Sequence, residues 1–287
     1  MDCELTEPHS MDEALNVLSR YGRDAMPIAG GQSLLVMLRN GLISPKVLVS
    51  LENLAEIRGI EATQERKLCL GAMVTCSMLK ASREIREMAP FLAQAAGKVA
   101  STPIRNLGTI GGNISHNELG ADLPPPLLVL DGEAECRGLK GLRKIPLREF
   151  FRDYFSTSLQ EGEIVCRIQL PSLPAGARGV YLKHSTRAED LAMVGVAVLL
   201  VPDGSEGKRI SDLRIALGGV APVPFRAKKA ESLLGNKTVV SQEFIKEVAD
   251  TAAGEADPIT DADASADYRR KMVRVFVRRA IQQAMEK

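Results

Sequence analysis

Apolar and polar positions along this chain repeat with two periods, one helical and one of strands. After Ser10 the apolar residues Ala14, Leu15, Val17 and Leu18 share a helical face, and Ser10-Met11-Asp12-Glu13 reads as a capping box. A helix reaching Tyr21 is therefore predicted. Pro27, Ile28 and Ala29 make a short apolar strand before a glycine pair, and a helical turn follows over 34–39. A strand at 46–50 is rich in β-branched residues, and strands at 57–62 and 67–72 read as a hairpin. Thr75 can cap a short helix to Lys80, and a longer helix is expected over 84–99. Strands are expected at 127–130 and 134–137, a short helix at 147–150 and an alternating strand at 164–170.

The segment Pro171-Ser172-Leu173-Pro174-Ala175-Gly176 breaks every period, which places a domain boundary there. Beyond it, strands at 179–183, 194–201 and 213–218 precede helices at 243–253 and 266–285. Strands and helices mix without a strict βαβ repeat, so the fold class is α+β. A chain of 287 residues has room for two domains and buries most of its surface without crosslinks.

Charge and composition narrow the chemistry. Lys plus Arg number 37 against 36 Asp plus Glu, so no broad field exists to capture nucleic acid or anionic lipid. The chain has no Trp, four Tyr and seven Phe, too few for a base-stacking platform. Its five cysteines contain no C-x-x-C pair, and its three histidines, His9, His116 and His184, lack metal-ligand spacing. Neither a resident metal nor an iron–sulfur cluster is expected, so redox chemistry here would need an organic cofactor. No apolar run of about 18 residues predicts a membrane span. The acidic N-terminus lacks the apolar core of a signal peptide, which points to a cytoplasmic protein.

Two glycine-rich segments stand out. The first is Pro27, Ile28, Ala29, Gly30, Gly31, Gln32, Ser33 and Leu34; the second is Thr109, Ile110, Gly111, Gly112 and Asn113. Each is either a tight turn or a backbone nest whose N–H groups converge on an anion. Neither fits the dinucleotide fingerprint G-x-G-x-x-G or the Walker pattern. Two nests closing from opposite sides would suit the diphosphate of a dinucleotide.

These segments, with Pro103-Ile104-Arg105-Asn106-Leu107-Gly108 ahead of Thr109 and Ala121-Asp122-Leu123-Pro124-Pro125 behind Asn113, resemble the medium, FAD-binding subunits of the molybdenum hydroxylases. Tyr181-Leu182-Lys183-His184 and Arg187-Ala188-Glu189-Asp190-Leu191 extend the resemblance over nearly the whole chain. It implies a two-part FAD-binding domain of the vanillyl-alcohol-oxidase type over residues 1–172, with subdomains of about 1–55 and 56–172. A smaller domain of a three-stranded sheet with helices would occupy 173–287.

The resemblance also implies an electron-transfer role. A large partner would hold molybdopterin and a small partner two [2Fe–2S] clusters, in a heterotrimer, alone or dimerised. This chain would collect electrons on FAD and hand them to NAD, quinone or ferredoxin. Both glycine segments would hold the pyrophosphate, and Asp122 would bind ribityl or ribose hydroxyls. Lys183 would lie beside the flavin ring, with Val99 and Val165 packing against it. No residue of this chain is assigned a catalytic acid or base role.

Leu119 stands where many relatives have Pro, so the run 116–120 is expected to follow its own path. No cysteine-rich insertion for an additional cluster is present. The basic helix with Arg269, Arg270, Lys271, Arg274, Arg278 and Arg279 reads either as a solvated face or as a docking surface. Two other functions stay open on the residues alone: a stand-alone FAD oxidoreductase and a binding module without catalysis.

Overall fold

The computed structural model describes residues 3–203, 209–235 and 239–287. At the N-terminus, β1 (Glu4–Thr6), β2 (Ala25–Ile28) and β3 (Val47–Ser50) form a parallel sheet in the order β1-β3-β2. Helix α1 (Met11–Tyr21) packs on it through Met11, Ala14, Leu15 and Leu18, all buried. Its N-terminal cap forms: Ser10 Oγ accepts from Glu13 N, and the Glu13 carboxylate accepts from His9 N at 2.8 Å, one residue before the partner a capping box would use. Helix α2 (Leu34–Arg39) follows the first glycine segment.

The second sheet has the order β4 (Ile60–Ala62), β5 (Leu68–Gly71), β10 (Ile164–Leu170), β6 (Glu133–Gly138) and β7 (Gly141–Pro146), all antiparallel. A bulge between Val165 and Arg167 changes the parity of β10. Val165 therefore joins Ile168 and Leu170 in the main core, while Ile164 and Cys166 face the core under α1. Around this sheet lie α3 (Cys76–Ala81), α4 (Arg83–Met88), α5 (Pro90–Lys98), α6 (Thr102–Leu107), α7 (Ile110–His116), α8 (Pro124–Val129) and α9 (Leu147–Phe150). A small hairpin of β8 (Phe151–Asp153) and β9 (Ser156–Thr157) closes the group.

Three expectations are corrected here. The helix over 84–99 is two helices, because Pro90 cannot donate to the preceding turn and restarts the helix at its first position. The expected strand at 127–130 is instead the end of α8 and its cap. Three prolines open that helix, and an apolar run buried on every side looks the same to periodicity in either state. The second glycine segment is the start of α7, not a loop.

The C-terminal sheet runs β11 (Arg178–His184), β12 (Val194–Pro202), β13 (Ile210–Gly218) and β14 (Phe225–Arg226), so a short fourth strand joins the three expected. One face, with Tyr181, Ala197, Leu199, Val201 and Ala216, joins the core of the first domain. The other face, with Val180, Val196, Val198, Ile215 and Leu217, packs on α11 (Gln242–Glu255) and α12 (Ala266–Glu286), beside the short α10 (Lys228–Ser232). Burial on both faces explains why β12 reads as an unbroken apolar run. The domains meet closely: a Cβ on Gly179 would stand 2.1 Å from the Phe91 ring. Asp131, just past α8, pairs with Arg214 at 2.6 Å and Arg226 at 2.9 Å across the same junction. Among the described residues no helix is long and apolar enough to cross a membrane.

Candidate functional site

The first glycine segment leaves β2 and turns at Gly31, whose φ of +69° belongs to glycine. Leu35 N donates to Gly31 O at 3.0 Å and starts α2. The Gln32 side chain folds back onto Gly30 O at 2.8 Å. The N–H groups of Gly30, Gly31, Gln32, Ser33 and Leu34 find no acceptor among the described residues. The Ser33 hydroxyl does not cap α2. Five successive free donors around a glycine pair make an anion cradle.

The second segment works differently from the expected nest. Ile110 N donates to Val74 O, Gly111 N to Ala72 O, Gly112 N to Thr109 Oγ1 and Asn113 N to Thr109 O. Helix formation and the segment just past β5 thus consume the donors assigned to a phosphate. Gly111 has no positive φ and serves packing: a Cβ there would lie 2.6 Å from Ala72 Cβ. What this segment leaves open is the Thr109 N–H, the bare exposed Gly112 and the Asn113 side chain. Asn113 Oδ1 is buried without a partner among the described residues. Amide oxygen and nitrogen exchange by a simple flip, so either a donor or an acceptor can be presented there.

The two segments meet. A Cβ on Gly30 would stand 1.7 Å from Leu107 O and 3.1 Å from Gly108 N, and one on Gly112 would stand 3.9 Å from Ala29 Cβ. The cradle of the first segment therefore sits against the turn between α6 and α7. Pro27 and Ile28 lie in β2 and deliver the segment to this position.

Deeper in the molecule, Asp122 is nearly sealed from solvent. Tyr181 donates its hydroxyl to Asp122 Oδ1 at 2.7 Å, and Lys183 Nζ donates to Oδ2 at 3.0 Å. Burial raises the Asp122 carboxyl above its ordinary value, while Lys183 and Tyr181 pull it back without cancelling that rise. Burial also pushes the Tyr181 hydroxyl far up, with Asp122 adding to the effect. Lys183 Nζ also reaches Lys98 O at 2.9 Å, so one buried ammonium ties β11 to the end of α5. Val99 caps α5 and is half-buried beside this contact. Val165 is buried in the main core.

The sequence reading gave no role to Tyr181 or Arg105, although both lie inside the quoted motifs. Arg105 Nη1 donates to Val99 O at 2.8 Å and Ala100 O at 2.5 Å. Leu191 is exposed near Gly120, where a Cβ would lie 2.9 Å from Leu191 Cβ. His116 packs against Phe155 with ring centroids 5.2 Å apart and the planes tilted by 46°. Among the described residues no three His, Cys, Asp or Glu side chains converge as metal ligands.

Known proteins match this geometry and sequence. The family model described as the FAD binding domain in molybdopterin dehydrogenase covers residues 1–173, and that of the CO dehydrogenase flavoprotein C-terminal domain covers 180–284. The 6-hydroxypseudooxynicotine dehydrogenase complex subunit alpha of Paenarthrobacter nicotinovorans is 33% identical, over 97% of this chain and 93% of that one. The carbon monoxide dehydrogenase medium chain of Hydrogenophaga pseudoflava is also 33% identical, over 98% and 96% of the two chains. The solved carbon monoxide dehydrogenase of that organism superposes with a TM-score of 0.95, covering 99% of this chain and 97% of the other at 33% identity. Quinoline 2-oxidoreductase from Pseudomonas putida 86 gives a TM-score of 0.92 at 30% identity, covering 99% and 97%. The chain therefore belongs to the FAD-binding medium subunits of the molybdenum hydroxylases, an oxidoreductase subunit whose cofactor is FAD.

Proposed function

We propose that this chain is the electron outlet of a three-chain molybdenum hydroxylase. It accepts electrons from [2Fe–2S] clusters on a small partner, downstream of a molybdopterin-bearing large partner. It passes them to an external acceptor such as NAD or quinone, in the cytoplasm. The names of its relatives, medium chain and complex subunit alpha, describe parts of larger assemblies. The bound FAD supplies a carrier that takes up electrons singly and releases them in pairs.

The residues suit that cofactor. Gly30, Gly31, Gln32, Ser33 and Leu34 offer free N–H groups to the diphosphate, and Ala29 and Gly112 bring the two walls together with nothing larger than a methyl in the way. Thr109 and Asn113 add polar groups from the second wall, and the unpartnered Asn113 carboxamide suits a phosphate or a ribityl hydroxyl. Ile110 and Gly111 support the wall from behind. Lys183 and Asp122 fix the seam between residues 1–172 and 173–287, where Val99 would meet the ring. Both Asp122 oxygens already hold protein donors, so its part is first to orient Lys183. Val165, deep in the core, would act through packing.

The observation that carries this reading is the approach of Gly30 to Leu107, which sets the two segments against each other. The test is reconstitution of the purified chain with FAD, followed by chemical reduction and mixing with NAD or a quinone. Stoichiometric flavin, and reoxidation by one of the two acceptors, is expected. A chain that retains no flavin, or whose reduced flavin neither acceptor oxidises, would contradict it.

A further inference from the structure

The bend between α5 and α6 is gripped in an unusual way. Three successive carbonyl oxygens point at cations: Lys98 O at Lys183 Nζ, 2.9 Å, then Val99 O and Ala100 O at Arg105 Nη1, 2.8 and 2.5 Å. Arg105 Nη2 adds a bond of 2.7 Å to Thr102 Oγ1. The two cations come from different domains. Ala100 is held at φ +36°, a region that residues with a Cβ rarely occupy. Backbone strain of this kind persists only where surroundings enforce it, and it gathers at ligand sites.

Peptide planarity gives the grip a consequence. The peptides here are trans, so each N–H points opposite to the carbonyl of its own peptide unit. With the oxygens of residues 98, 99 and 100 turned to the cations, the N–H groups of Val99, Ala100 and Ser101 turn away from them. The Val99 N–H belongs to the last turn of α5, and among the described residues the N–H groups of Ala100 and Ser101 meet no acceptor. Arg105 sits on α6, whose other end at Leu107 lies against Gly30. One short helix thus links the diphosphate cradle to this pair of free donors.

We infer that Arg105 is a positioning residue for the flavin. It holds the 98–101 bend so that its N–H groups face the electron-rich nitrogen and carbonyl edge of the ring. This rests on the FAD reading above. Two electrons and one proton added to a neutral ring leave one negative charge, which fixed backbone donors stabilise. Arg105 itself touches only the backbone and Thr102, so its effect on the cofactor passes through the bend.

The test is the FAD midpoint potential of the reconstituted full chain in wild type, Arg105→Lys and Thr102→Val. Lysine keeps the charge but lacks the planar fork that spans several acceptors. The expected result is full flavin content with reduced FAD held about tenfold less tightly relative to oxidised FAD in Arg105→Lys, a fall of about 30 mV for a two-electron couple. Thr102→Val, which loosens one anchor of the fork, should fall in the same direction by less. An unchanged potential at full flavin content in both variants would overturn the inference. So would loss of FAD from Arg105→Lys at a native melting temperature, because Arg105 would then act in retention. Wild-type chain that binds no FAD would overturn the functional reading and this inference together.

Discussion

Gly30 lies so close to the carbonyl oxygen of Leu107 that a Cβ would stand 1.7 Å from it. Residues 77 apart in the chain thus share a contact that only hydrogen can fill. Gly30→Ala must push the first segment off the α6–α7 turn and part the two segments. We expect loss of about 1–3 kcal/mol of stability, as for other overpacked contacts, and release of FAD on gel filtration. A variant that keeps full flavin at an unchanged melting temperature would contradict a shared role for the two segments.

Gly111 makes a different prediction, because its φ is helical and its closest neighbour is Ala72. Alanine would gain roughly 1 kcal/mol of helix propensity in a free helix. The 2.6 Å approach to Ala72 Cβ outweighs that gain. Gly111→Ala should lower the urea midpoint, with flavin loss following the loss of fold. Stabilisation would mean that the contact between Gly111 and Ala72 is looser than described.

Lys183 and Asp122 form a buried pair, with side chains 4% and 3% exposed. Removing one partner of such a pair costs about 3–5 kcal/mol, because the other charge is stranded. Lys183→Met should therefore destabilise strongly at neutral pH, and Asp122→Asn added to it should recover most of the loss. The sign with pH follows from Asp122, whose folded-state value is already raised by burial. Losing the ammonium raises it further, so the penalty of Lys183→Met is largest where the carboxylate must ionise and shrinks as pH falls. A penalty that grows toward acid in denaturant titrations would refute this assignment.

Burial lowers the His116 value from its ordinary 6.5, with Glu118 opposing weakly. Above that value the ring is neutral in folded and unfolded chains alike. As pH falls, the unfolded chain takes up its proton first, so stability is lost down through the folded-state value. Between about pH 8 and 5 the wild type should lose more stability than His116→Gln. Equal losses in parallel urea titrations would show that His116 does not report on its burial.

The elements with a strong local signal were legible from residues alone. Ser10 and Glu13 announced α1, the Thr75 cap announced α3, and the alternation in 164–170 announced β10. Where local pattern was silent, the reading missed. Residues 127–130 are buried on all sides, so apolar periodicity could not separate helix from strand. The Gly111-Gly112 pair reads as a tight turn or an anion nest, since glycine is a poor helix former. It is helical because Ala72 and Val74, just past β5, supply acceptors for the first N–H groups and Ala72 leaves no room for a larger residue.

The sequence by itself determined the family motifs, both glycine segments and the identity of Asp122 and Lys183, because these are choices of side chain at fixed positions. Tertiary structure alone decided that Gly30 meets Leu107, that the second segment spends its donors on the protein, and that Tyr181 and Arg105 join the network. A hydrogen-bond donor is written in the chain, but whether it is free is settled by whichever acceptor the fold brings within about 3 Å.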